Sequence, residues 1–359
     1  MKKYFVLLVV CLASLKAIGQ DAENVFLITL DGMRWQEVFG GAVDSMMSNK
    51  DMCEDSSSVF NLYHDIDPKV ARRKLMPFFW DTIASKGFLL GNRSLANTVD
   101  VTNRFWFSYP GYGEILTGYS DPRISSNAKI NNPDTTVLEW LHMKPEFKGK
   151  IAAFGSWDVF DYIINEERSG IPVNCGYEAA SGKNLTTAEK MTNRMQQEVP
   201  KKWGSVRFDA FTHQFMMEYV KKHHPRVVYI SYGETDDFAH GGEYDQYLHS
   251  ARRSDDFIHE LWNFIQSDPQ YRGKTSLVIT TDHGRGHSPM TEWKNHGTKT
   301  IDSNQIWIAG LGAGISAKGE VSRGKRSFQN QVAATVAHLL GYDFTVFNQE
   351  IGPALENIK

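Results

Sequence analysis

The chain reads as an α/β protein with a mostly parallel central sheet flanked by helices, and three observations carry that reading. Short apolar runs alternate with longer amphipathic stretches along the 359 residues, the pattern of strand and helix in succession. Several of those runs are apolar throughout, not at every second position, as in strands covered on both faces. Polar residues able to do chemistry follow directly after the runs, where the loops at the carboxyl edge of a parallel sheet carry a site.

The chain opens with Lys2 and Lys3, an apolar run from Tyr4 to about Leu15, and Ala17-Ile18-Gly19 before Gln20. Residues 1–19 therefore have the form of a secretory signal. The run falls short of the roughly 20 apolar residues that span a bilayer, and Val9-Val10 ahead of Cys11 do not fit a lipoprotein anchor. The expected product is a secreted or periplasmic protein without a transmembrane segment, in which residues 20–359 form one unit. Strands are predicted at Val25–Leu30, Phe88–Leu90, Lys150–Phe154, Arg226–Ser231, Ser276–Thr281 and Gln305–Ala309. Helices are predicted near Pro77–Ser85, Asp158–Glu166, Thr186–Glu198, Phe208–Lys222, Tyr244–Gln266 and Ser327–Leu340. Thr186 and Glu189 have capping-box spacing, and Gly341 suits a helix end. Polar stretches at about 41–74 and 168–205 lack a strand period and are read as cap-like insertions above the sheet edge, where a substrate would be selected.

A formal charge of −3 with no basic block argues against coating nucleic acid or a membrane surface. After signal removal Cys53 and Cys175 remain; they form one disulfide or stay as free thiols, and their spacing does not choose.

The chemistry sits in four segments. Asp31 follows VFLITL, Ser108 lies in FSYPGYGEILTG, Asp236 and His240 lie in ETDDFAHGG, and Asp282-His283 in ITTDHG are followed by His296. Singly, an aspartate in a turn or a histidine on a surface is the ordinary reading. Three carboxylates at three strand ends, two of them with histidines nearby, read jointly as one two-metal site. Asp236 and His240 are four apart, so on a helix they share a face; Asp237 is the competing residue, or a partner orienting the histidine. Gly284 and Gly286 would let Asp282 and His283 turn toward one ion, while His287 has no matching carboxylate. Ser108 precedes Pro110 at a helix start, where an ion and the helix dipole would favour its alkoxide; an ordinary capping serine looks the same.

With LDGMRW, SYPGYGEILTG, ETDDFAHG, TTDHGRG and NHG in that order, the chain resembles the alkaline phosphatase superfamily, closest to secreted phosphatases and nucleotide pyrophosphatase/phosphodiesterases. The resemblance spans nearly all of residues 20–359 and implies a three-layer α/β sandwich catalytic domain with inserted caps. It implies one ion on Asp31, Ser108, Asp282 and His283, and another on Asp236, His240 and His296. Ser108 would attack phosphorus to give a phosphoseryl intermediate, and water would then release phosphate. Mixed carboxylate and imidazole ligands suit zinc first and manganese second.

The family's phosphodiesterase-like motif carries an asparagine three residues after the nucleophile, contacting a phosphate oxygen; here that position is Gly111. Arg34, Arg104, Arg285 and Lys294 are the candidates to bind phosphate instead. Trp157 and Asp158 stand where some monoesterase relatives place basic residues. The sequence puts a small phosphomonoester first as substrate and a phosphodiester second. A sulfatase ranks lower, because Tyr112 occupies the position of the arginine in the sulfatase motif, and a non-catalytic binder of phosphorylated ligands ranks lower still.

Overall fold

The structure, a computed structural model, describes residues 22–356; residues 1–19, read above as a secretory signal, lie outside them. Among the described residues eleven strands follow in order: β1 Asn24–Leu30, β2 Gly87–Leu90, β3 Val99–Asp100, β4 Ile151–Gly155, β5 Val173–Cys175, β6 Val227–Tyr232, β7 Thr275–Thr280, β8 Gln305–Ile306, β9 Ile308–Gly312, β10 Gly319–Glu320 and β11 Ser327–Phe328. Eight form one sheet in the order β10-β2-β9-β7-β1-β6-β4-β5, and three form a small sheet, β11-β3-β8. From β7 through β1, β6 and β4 to β5 every pairing is parallel, while β9 runs antiparallel to both β7 and β2. The expected α/β architecture with a large, mostly parallel sheet is therefore present.

β1 is buried along its whole length because it lies between two layers. Phe26, Ile28 and Leu30 face one apolar cluster and Val25 and Leu27 the other, the two-residue alternation of a strand. Helices Asp209–His223 and Tyr244–Ser267 cover the first face, through Phe215, Met216, Leu248 and Leu261 among others. Helices Ser108–Thr117, Val137–His142 and Gln331–Leu339 cover the second, through Tyr112, Ile115, Leu138 and Val336. Cys53 belongs to the first cluster and Cys175 to the second; both are free thiols.

Four local expectations are corrected. Ser327–Phe328 pairs with β3, and the final helix begins only at Gln331. The predicted strand Gln305–Ala309 divides between the small sheet and the large one. The helix expected over Asp158–Glu166 is interrupted at Asn165, whose φ of 52° is left-handed. Within 168–205, Val173–Cys175 is the outermost strand of the main sheet, too short for a periodic signal. The rest of that stretch holds the helix Thr187–Glu198, with the Thr186/Glu189 capping box formed. Residues 41–74 contain helices Asp44–Met47, Ser56–Tyr63 and Pro68–Leu75, whose Met46, Met47, Val59 and Leu75 are buried in the first cluster.

Candidate active site

The site forms where β1, β6 and β7 end side by side. Their registers pair Leu30 with Tyr232 and Thr29 with Thr280, so the residues that follow emerge at one edge. Asp31 leaves β1 with its N–H donating to Tyr232 O at 2.9 Å. Asp236 and His240 lie on the helix Glu234–Gly241 that follows β6, one turn apart, with Asp236 Oδ2 3.1 Å from His240 Nε2. Thr235 fastens this helix to β1 by donating to Asp31 O. Asp282 and His283 follow β7, and His296 returns after the short helical segment Met290–Lys294.

Two groups of ligand atoms result. Around His283 Nε2, Ser108 Oγ, Asp31 Oδ1 and Asp282 Oδ2 each lie at 3.4 Å. Around His240 Nε2, His296 Nε2 lies at 2.9 Å and Asp236 Oδ2 at 3.1 Å. Asp236 Oδ1 lies between the groups, 3.7 Å from both His283 Nε2 and His296 Nε2. Asp236, His240 and His296, and likewise Asp31, Asp236 and His283, present ligand atoms within 4.8 Å of one another. All seven sequence-nominated ligands thus meet at one place. The first group is buried, with His283 at 0 % exposure, whereas the His240 side chain is 46 % exposed; the site opens on the His240 side.

The donor set fits cations. Asp31 Oδ1 and Asp282 Oδ2 are buried oxygens without a hydrogen-bond partner, a costly state unless a cation satisfies them. Burial, and then the neighbouring carboxylates, push Asp31 and Asp282 well above the usual carboxylate range. Burial also opposes the charge of Asp236, but Arg285 and then His240 outweigh it and hold that carboxyl well below the usual range. Burial next to His283 lowers His296 to about 2, which leaves its ring neutral and free to ligate. His283 Nδ1 lies 2.9 Å from Gly284 O, a contact that keeps the proton on Nδ1 and Nε2 available.

Close backbone approach explains two glycines. A Cβ on Gly32, whose φ is +57°, would lie 2.7 Å from both Arg285 Nη1 and Asp236 Oδ1. A Cβ on Gly111 would collide with the Asp282 carbonyl oxygen. Gly111 therefore packs the Ser108 helix onto the loop that carries Asp282 and His283. Two of the candidate arginines are engaged by carboxylates. Arg34 is buried and occupied by Glu37 and Gly286 O. Arg285 is buried, paired with Asp236, and donates to Trp293 O and Lys294 O. Arg104 stays exposed over the Phe105 ring. Lys294 is half-buried beside Gly242, at the end of the helix carrying His240. No hydrogen bond joins Asp237 to His240 among the described residues; burial, then Asp236, raises its carboxyl to about 8.

Sequence reasoning missed Tyr112. Its hydroxyl donates to Asp31 Oδ2 at 2.8 Å and accepts from Ser231 Oγ at 3.1 Å. The signal was its place four residues after Ser108, on the same helical face. Gln329, whose amide donates to Asp282 O at 2.6 Å, offered none.

Carboxylates and histidines gathered at the carboxyl edge of a mostly parallel sheet suit metal-dependent hydrolysis of a phosphoester. The chain matches the profile of Type I phosphodiesterase / nucleotide pyrophosphatase over residues 46–337, and it belongs to that family. Comparison with curated protein sequences finds no match. Among solved structures, the chain is similar to the alkaline phosphatase PafA, with a TM-score of 0.60 and 11 % identity, covering 94 % of this chain and 99 % of that one. The lipoteichoic acid synthase LtaP from Listeria monocytogenes gives a TM-score of 0.58 and 12 % identity, with 91 % and 75 % covered. The 2-O GAG sulfatase BT1596 gives 0.52 and 13 %, with 90 % and 71 % covered. At these identities the likeness is one of fold.

Proposed function

We propose that the chain is an exported two-metal phosphodiesterase in which Ser108 is the nucleophile, cleaving a small diester through a phosphoseryl intermediate. Asp31, Ser108, Asp282 and His283 would hold one ion and Asp236, His240 and His296 the other, with zinc first and manganese second for this mixed donor set. When bound, such ions supply Lewis acidity, lower the pKa of a coordinated hydroxyl and offset charge on the leaving oxygen. Ser108 is the first residue of the helix Ser108–Thr117, so the positive end of that helix also favours its alkoxide. Tyr112 and Gly32 N–H fix the outer oxygens of Asp31 and Asp282, leaving the inner ones turned toward the ion.

The single observation that carries the diester is that both arginines at the site are already taken, Arg34 by Glu37 and Arg285 by Asp236. Two divalent ions, if held as proposed, together with Arg285 would face three carboxylates and an ionised Ser108, which would leave a formal surplus of one positive charge, suited to a diester monoanion. The sequence puts monoesters first; the pairing of Arg34 with Glu37 and of Arg285 with Asp236 reverses the order, and membership of the phosphodiesterase family agrees. The monoester remains the second reading because Lys294 stands beside Gly242, near the open side. The deciding experiment compares kcat/KM for an aryl phosphodiester and the matching monoester on zinc-loaded protein, with Ser108→Ala as control. A diester preference abolished by the substitution is expected; a monoester preference that collapses in Lys294→Ala would establish the second reading.

A further inference from the structure

Glu114 has no role in the chemistry just described, yet it is a buried carboxylate on the helix that begins at Ser108, six residues beyond it. It accepts from Thr102 N at 2.9 Å, from Asn103 N at 2.7 Å and from Asn103 Nδ2 at 2.9 Å. With its amide held in that way, Asn103 turns Oδ1 to accept from Phe105 N at 2.9 Å and Trp106 N at 3.0 Å. The turn so tied places Trp106 at a φ of 53°, a left-handed conformation that a bulky residue rarely adopts without external support. In that conformation the Trp106 carbonyl oxygen lies 3.4 Å from His296 Nδ1. His296 Nε2 points the other way, toward His240 Nε2 and Asp236.

We propose that Glu114, acting through Asn103 and the Trp106 carbonyl, is a positioning residue for the His296 metal site. The carbonyl accepts the Nδ1 proton, which fixes the tautomer that leaves Nε2 free for the ion. It also fixes the ring plane, which stacks on His283 with centroids 3.9 Å apart. Because Glu114 and Ser108 share a helix, the same element that presents the nucleophile sets the second metal site, and the two stay in register. The proposal rests on the two-metal reading above.

The test measures zinc stoichiometry and the two dissociation constants by chelator competition, on wild type, Glu114→Gln, Trp106→Gly and the double variant. Glu114→Gln keeps the side-chain shape but replaces one acceptor oxygen by a donor among the N–H groups of Thr102 and Asn103. It is expected to weaken one of the two sites by about tenfold or more, the usual cost of losing a partner that orients a ligand, and to leave the other unchanged. Glycine adopts a positive φ freely, so Trp106→Gly alone should keep both sites, and adding it to Glu114→Gln should restore most of the lost affinity. Recovery at one site alone separates positioning from a general loss of stability, which would weaken both sites together. Unchanged constants in Glu114→Gln, equal weakening of both sites, or no rescue would overturn the proposal. A wild-type protein that binds no divalent ion would instead remove the two-metal reading beneath it. If Glu114→Gln fails to fold, Asn103→Ala, which removes only the Oδ1 acceptor of the turn and its amide, gives the same two-constant readout.

Discussion

Tyr112 donates its hydroxyl to Asp31 Oδ2 across 2.8 Å, joining the helix that begins at Ser108 to the end of the central strand. Tyr112→Phe would remove that bond while keeping the ring packed against Phe160, at 4.8 Å between centroids. Zinc affinity at the Asp31 site should fall about 10- to 100-fold, with activity recovering at high zinc. Titration of activity against free zinc checks it; a loss that zinc does not restore would show that the hydroxyl acts in some other way.

Gly111 leaves no room for the asparagine of the family motif. Gly111→Ala should lower stability by about 1–3 kcal/mol through overpacking against the Asp282 carbonyl, and Gly111→Asn should do worse and gain no phosphate contact. Denaturant unfolding of the two variants measures this, and a Gly111→Asn variant as stable as wild type would contradict the packing geometry.

Loading with metal should release protons. Asp31 and Asp282 hold their protons well above the usual range in the metal-free fold, and ligation requires the carboxylates. Zinc titration of chelator-stripped protein near pH 6, in buffers of different ionisation enthalpy, should show net proton release together with a rise in melting temperature. Ligand at about 100 times its dissociation constant stabilises by about 2.7 kcal/mol per site.

Stability of the stripped protein should fall as pH rises from about 4 to about 7. Burial raises Asp255 from 3.8 to about 7, although it accepts from Phe78 N and Phe79 N. Over that interval the folded chain holds a proton that the unfolded chain has released, so rising pH favours unfolding, and the effect levels off above it. Asp209, also raised to about 7 by burial and then by Glu234, acts with the same sign. Asp255→Asn should flatten part of the slope in melting temperature against pH; an unchanged slope would exclude Asp255 as a source.

The strand ends were legible because Asp31 and Asp282 closely follow apolar runs and Asp236 lies four residues beyond one, and a parallel sheet brings such ends together whatever their separation along the chain. Asp31, Asp236 and Asp282 needed only that rule. The arginines were not legible: a guanidinium suited to phosphate is equally suited to a carboxylate, and whether Glu37 or Asp236 takes it depends on contacts the sequence does not display. Tyr112 and Glu114 escaped for a related reason, since the apolar character of their helix marks the buried face without saying which polar tip finds a partner. The three-residue strand at Val173–Cys175 and the interruption at Asn165 lie below the length at which periodicity speaks.

The pairing of β1 with β6 and β7 joins residues about two hundred positions or more apart, and this has a cost during synthesis. At about 5–20 residues per second, β1 waits on the order of 10–40 s before its first neighbour leaves the ribosome. Throughout that interval an apolar strand stands with both edges and both faces open, the condition that invites pairing with other chains. An ion held as proposed would bind between loops supplied by different strands, so its occupancy would mark the moment at which the last of these long-range pairings closes. Nascent chains cut short before Thr275 should bind none, and should need a holding chaperone more than any later form of the protein.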